Sequence, residues 1–189
     1  MRALPAQDDA GRRLLHTREV VCKGYVRTDG LYDIEGRMVD LSAEGTWMIF
    51  HELAPGEAIH DLRLVLTIDA ELTIHRAQAF METTATPYCG GAAAAYGQLV
   101  GLRIGPGFRQ AAKERVGDVA GCTHLTELLG PMGTTAMQTL FSQRREARRR
   151  DDTMPEQPMP RPSVVGTCHA YRMESPATAV IWPPEKRQV

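Results

Sequence analysis

The stretch His60-Asp61-Leu62-Arg63-Leu64-Val65-Leu66-Thr67-Ile68-Asp69 decides how this chain is read. Leu62, Leu64, Leu66 and Ile68 recur at every second position, which aligns them on one face of an extended strand. A short turn at Asp69-Ala70-Glu71 follows, and Leu72 to Met81 runs back with Ile74 and Phe80 among its apolar positions. Two extended runs joined by so short a connection make an antiparallel hairpin.

Towards the N-terminus the same logic gives a second hairpin. Val20, Cys22, Gly24 and Val26 share one side of a strand, and Glu19, Val21, Lys23 and Tyr25 share the other. Thr28-Asp29-Gly30 supplies the turn, because Asp-Gly accepts the positive φ of a tight hairpin. Leu31 to Leu41 then returns, and residues 42–59 form a loop ending in Ala54-Pro55-Gly56-Glu57.

Beyond Cys89 the pattern turns helical. Gly91 to Leu102 is alanine-rich, Gly105-Pro106-Gly107 interrupts, and Phe108 to Val116 suggests a second helix. Gly121 precedes a longer one, in which Leu125, Leu128, Leu129, Met132, Ala136 and Leu140 lie at helical spacing. Pro131 and Gly133 inside that pattern predict a kink or break. Apolar residues 177–182 suggest a last strand or pair within Ser163 to Trp182. The expected class is α+β: two antiparallel β-hairpins forming one sheet, packed by C-terminal helices. The expected organisation is a disordered 1–14, a core at 15–145, a proline-rich linker at 146–162 and an extension at 163–189 packing on the core.

Composition narrows the function classes. A 189-residue chain with 43% hydrophobic residues can bury a core without disulfide staples. Lysine plus arginine number 22 against 23 acidic residues, so the basic excess expected of a nucleic-acid binder is missing. No run approaches the roughly 18 apolar residues that a membrane span needs. The N-terminus lacks the apolar stretch of a secretory signal, so a cytoplasmic protein with neither nucleic-acid nor membrane partners is expected. Arg144, Arg145, Arg148, Arg149 and Arg150 read as a solvated helix end that complements the helix dipole. No phosphate-cradling glycine motif is present, so no nucleotide cofactor is expected.

The cysteines at 22, 89, 122 and 168 form no CxxC pair, and in a reducing compartment they are thiols or metal ligands. Hairpin topology gathers several of the polar residues. His60 and Asp61 begin one strand, and the partner strand ends a few residues before Cys89, so they share one end of the sheet. Cys122 stands just ahead of the long helix, where the dipole favours thiolate. If that helix docks with its start over the same sheet end, His60, Asp61, Cys89, Cys122 and His124 converge. Such donors suit a tetrahedral zinc shell or part of an iron–sulphur ligand set. Cys22, His16, His51 and His75 read as structural, and Asp29, Asp33, Glu35 and Asp40 as solvent-facing carboxylates on the first hairpin.

Four stretches carry a family resemblance: Arg27 to Gly36 (RTDGLYDIEG), Gly56 to Asp61 (GEAIHD), Thr86 to Cys89 (TPYC) and Gly121 to Leu125 (GCTHL). Together they resemble the bacterial domain-of-unknown-function family numbered 2889, from about His16 to Thr139, with Cys168-His169-Ala170 similar to its C-terminal element. The chain departs in having Tyr32 where tryptophan is common, and Cys89 directly after Pro87-Tyr88. That family implies no established activity. A fold-level resemblance links the order hairpin, cysteine, alanine-rich helix and Cys-x-His helix start to iron–sulphur scaffold proteins of the IscU/NifU type. It implies ligands at His60-Asp61, Cys89 and Cys122, with a histidine in place of the first cysteine favouring a stable zinc-type site over labile cluster assembly.

The functional expectation is therefore a metal-binding protein, with a possible small-molecule substrate, using His60, Cys89 and Cys122 as ligands. Asp61 or His124 would complete the shell or move a proton, and zinc is favoured over iron. The alternatives are a metal or iron–sulphur carrier without turnover, and a metal-free thiol or acid–base enzyme using Cys122 and His124.

Overall fold

A computed structural model describes residues 11–151 and 159–188, apart from the side chains of residues 145 and 147–151. Most of the expected N-terminal disordered segment, the 152–158 part of the expected linker and most of the arginine run's side chains lie outside the described residues. The chain divides into two compact units, 1–143 and 144–189.

The first unit is built on β1 (His16–Val26), β2 (Tyr32–Ser42), β5 (Ala58–Ile68) and β6 (Ile74–Thr83), ordered β1-β2-β5-β6 and antiparallel throughout. Both expected hairpins are present, and pairing of β2 with β5 joins them in one sheet. The 42–59 loop carries a small hairpin of its own, β3 (Thr46–Trp47) with β4 (Glu52–Leu53).

Period-two alternation does what it predicts. Ile34 and Met38 of β2 and Leu62, Leu64, Leu66 and Ile68 of β5 all point to one face, each at most 2% exposed. On the opposite face Arg37 pairs with Asp61 and Arg63 lies over the Phe80 ring. The buried face meets α1 (Phe108–Val116) and α2 (Thr123–Asp151), whose Phe108, Ala112, Val116, Leu125, Leu128, Leu129, Met132 and Ala136 complete a single core.

Three sequence expectations are corrected. The alanine-rich segment is a 3-10 helix, Cys89–Leu99, rather than an α-helix. Its three glycines weaken α-helix formation, and three residues per turn align Tyr96 with Leu99, both fully buried. Of the kink or break expected at Pro131, the break is absent, since the long helix runs through it. Proline costs a helix interior roughly 3 kcal/mol, but Leu128, Leu129, Met132 and Ala136 on either side are buried, and their packing holds the helix together. The apolar run 177–182 is mostly α3 (Pro176–Ile181), not a strand. Ser175 caps it by accepting a hydrogen bond from the Ala177 N–H at 3.1 Å, and Pro176 takes the first turn, where its missing N–H is harmless.

Within the second unit, α3 leads to a buried Trp182, whose indole N–H donates to the Met159 carbonyl at 2.9 Å. Cys168 is exposed, and His169 meets its neighbour Arg172 at 3.2 Å.

Gly36 explains how closely α2 approaches the sheet. A β-carbon built there would lie 2.6 Å from Sδ and 2.7 Å from Cγ of Met132, a fully buried side chain. Gly36→Ala is expected to destabilise the protein by about 1–3 kcal/mol through overpacking. A urea titration checks this, and the midpoint should fall with an unchanged slope.

Candidate metal centre

The buried stripe of the sheet ends in polar residues. Asp40 continues the Ile34–Gly36–Met38 face of β2, and His60 continues the Leu62–Leu64 face of β5. The two are register partners across the strands. The β2–β5 pairing shifts just beyond them, at Asp40/Leu41, and the β5–β6 pairing shifts at Asp61/Leu62. Two irregularities at one end of a sheet re-aim side chains there.

Asp40 is 1% exposed, which corrects the reading of it as a solvent-facing carboxylate. Every oxygen is engaged. Arg18 donates from Nε to Oδ1 at 2.6 Å and from Nη2 to Oδ2 at 2.8 Å. The His60 Nδ1–H donates to Oδ2 at 3.0 Å, and His16 Nε2 lies 3.3 Å from Oδ1. The Arg18 guanidinium, opposing the cost of burial, holds the Asp40 carboxyl well below the ordinary carboxylate range, at about 2. An ionised carboxylate only accepts, so the His60 nitrogen that faces it, Nδ1, carries a proton.

His124 comes from the first turn of α2. Tyr96 pins that helix start: its hydroxyl donates to the Cys122 carbonyl at 2.7 Å and accepts from the Cys122 N–H at 3.2 Å. The His124 ring stacks at 4.0 Å between centroids on His60, with the planes tilted by 39°. Burial, then the nearby His60 and Arg18, push the His124 imidazole below its ordinary pKa, which keeps it neutral and able to ligate. One donor atom from each of Asp40, His60 and His124 lies within 4.8 Å of the other two. Two imidazoles and a carboxylate around one point form a candidate metal-binding cluster.

The structure thus brings together two of the residues singled out from sequence, His60 and His124. Asp61 follows His60 by one residue and so lies on the opposite face, where Arg37 Nε donates to it at 2.8 Å. Cys89 is half-buried, with its Sγ 3.2 Å from the Thr86 hydroxyl, and Cys122 is half-buried against the core. Among the described residues, neither cysteine belongs to a donor cluster of three or more. Sequence reasoning missed Asp40, Arg18 and Tyr96. Asp40 had a usable signal: it sits two residues beyond Met38, on the apolar side of the alternation that starts at Ile34. Arg18 and Tyr96 had none, since their roles depend on partners distant in the chain.

The family model for a protein of unknown function (DUF2889) matches residues 16–138. The chain belongs to the DUF2889 family. The match spans the whole sheet and α1, and it contains Arg18, Asp40, His60 and His124. No curated protein and no solved structure matches the chain, so the likeness to IscU/NifU-type scaffolds stays with the sequence order alone. Among the described residues, no helix is long and apolar enough to cross a membrane.

Proposed function

We propose that this DUF2889 member is a metal-binding protein that holds one divalent first-row metal ion on Asp40, His60 and His124. The observation that carries the reading is the cluster itself: a buried carboxylate and two imidazoles within 4.8 Å of one another. Three protein donors leave at least one coordination position for water or a substrate oxygen, as hydrolytic and other metal-assisted chemistry requires. Zinc is favoured over iron, because a given nitrogen–oxygen site binds zinc more tightly than ferrous iron. Arg18 is the supporting residue: it orients Asp40 and fixes its charge. Cys89 and Cys122 stand outside this donor set, so the nitrogen–oxygen set replaces them in the proposal.

Elemental analysis of protein purified without chelators tests this. About one zinc or iron per chain is expected in the wild type and in Cys122→Ala, with near-complete loss in His60→Ala and His124→Ala. A metal-free wild type that also fails to take up added zinc would sink the reading.

One observation favours a second reading. Asp40 already holds His60 through Nδ1, and the His60 ring stacks at 4.0 Å on the neutral His124, so the His124 imidazole is an oriented base. A metal-free proton-transfer site of this kind is what a metal-free wild type would leave standing.

A further inference from the structure

β1 is an open edge of the sheet. It pairs with β2 along all 11 of its residues without a register shift, and among the described residues no strand pairs with its other side. Val20, Val21, Tyr25 and Val26 on it are 42–57% exposed. The opposite edge differs, because at the start of β6 Ile74 donates to the Leu102 carbonyl at 2.9 Å and accepts from the Gly101 N–H at 2.8 Å. A long, apolar, uncovered edge strand is a template for pairing with another chain. We propose that β1 pairs antiparallel with β1 of a second copy of this chain, about a two-fold axis at Val21, and so joins two four-stranded sheets into one.

The backbone limits the registers. At the two ends of the β1–β2 ladder, the Ala43 N–H donates to the Leu15 carbonyl at 3.0 Å and the Arg27 N–H donates to the Leu31 carbonyl at 2.9 Å. Both pairs continue the β1–β2 register, so the odd-numbered residues of β1 bond to β2. The even-numbered ones, His16 to Val26, therefore direct N–H and C=O to the open edge. Two copies can bond only through those even residues, and neighbouring registers differ by a shift of two.

Side chains choose among the registers. With the axis at Val21, Glu19 lies opposite the partner's Lys23, Lys23 lies opposite the partner's Glu19, and Val21 meets the partner's Val21. An axis at Val20 or Cys22 sets both charges against uncharged residues, and an axis at Glu19 or Lys23 sets like charges face to face. Lysine on an edge strand ordinarily wards off pairing, and in this one register it meets a carboxylate instead. Glu35 is the register partner of Lys23 on β2, yet among the described residues neither Lys23 nor Glu19 makes an ion pair. On the inner face Arg18 falls opposite the partner's Gly24, so its hold on Asp40 is undisturbed. The pattern complements itself, as a two-fold contact requires, and this selects a second copy over a foreign strand.

Sedimentation equilibrium of the full chain in reducing buffer, over a series of concentrations, tests the proposal. The wild type should dimerise. Glu19→Lys sets like charges opposite each other at both symmetry-related positions and should weaken the dimer about tenfold or more. The exchange Glu19→Lys/Lys23→Glu restores opposite charges in the same register and should recover the dimer. Far-UV circular dichroism checks that the variants keep the fold, which the exposure of both side chains favours. A wild type that stays monomeric overturns the proposal. So does a Glu19→Lys dimer of unchanged affinity, or an exchange variant no tighter than Glu19→Lys.

Discussion

Asp40→Ala is expected to destabilise the protein by about 2–4 kcal/mol, at the level of losing one partner of a buried ion pair. The carboxylate is buried and receives two hydrogen bonds from Arg18 and one from His60. Its removal leaves a guanidinium facing a cavity and an imidazole N–H without an acceptor. Arg18 retains Glu127 at 2.9 Å and is 37% exposed, so water recovers part of the loss and keeps the effect below the extreme for a fully buried pair. Chemical denaturation measures the change. Arg18→Met, which removes the guanidinium and leaves the buried carboxylate with only His60 and His16 beside it, should cost a comparable amount. A change below about 0.5 kcal/mol, the size of an ordinary surface substitution, would show that Asp40 is not held as described.

The same residue sets a pH dependence with a definite sign. The folded-state value of Asp40, about 2, lies below the ordinary value near 3.9 that it regains on unfolding. A carboxyl with a depressed folded value contributes stability that is complete above the unfolded value and is lost as pH falls towards the folded one. The wild type should therefore lose stability from about pH 5 down to about 2. Asp40→Asn should flatten that part of the profile. His124 adds a second, separate window: its depressed imidazole value makes stability fall as pH drops below the ordinary histidine range.

How much of this was legible in the sequence follows from the range of the interactions. Alternation along Leu62–Ile68 and the Asp29-Gly30 turn are local signals, and both hairpins formed where they were read. Hairpin topology brings the start of β5 and the end of β6 to one end of the sheet, but which end of α2 meets it was a condition of the sequence reading, and only the stacking of His124 on His60 supplies the answer. The failures arose where a partner far along the chain overrode a local preference. Carboxylates in strands usually face water, and Asp40 does not, because Arg18 from the neighbouring strand accompanies it into the interior. Asp61 is as close to His60 as the chain allows, yet the pleat sends it to the other face. The apolar run after Ser175 lacked alternation and carried a Ser-Pro helix start, a local signal that outweighed its β-branched residues.

Leu64→Ala is expected to destabilise the protein by about 3–4 kcal/mol, in the range of fully buried leucine truncations. Leu64 sits at the middle of β5, an inner strand, and is 0% exposed. Its register partners are Gly36 on β2 and Ala79 on β6, so neither flank offers a side chain that could move into the space. The residue above is Met132, already pressed against the bare backbone of Gly36. Methionine is flexible enough to fill part of the void, and this keeps the cost below the upper end of the leucine range. Leu62→Ala makes the contrast, because it lies between Met38 and Met81, two flexible side chains that can both close in. Leu62→Ala should therefore cost about 1 kcal/mol less, since a smaller residual cavity carries a smaller penalty. Thermal unfolding monitored by far-UV circular dichroism should show Leu64→Ala melting about 10 °C below the wild type. Equal losses at the two positions would mean that the sheet face collapses around either truncation, and that Gly36 and Ala79 do not hold the space open beside Leu64.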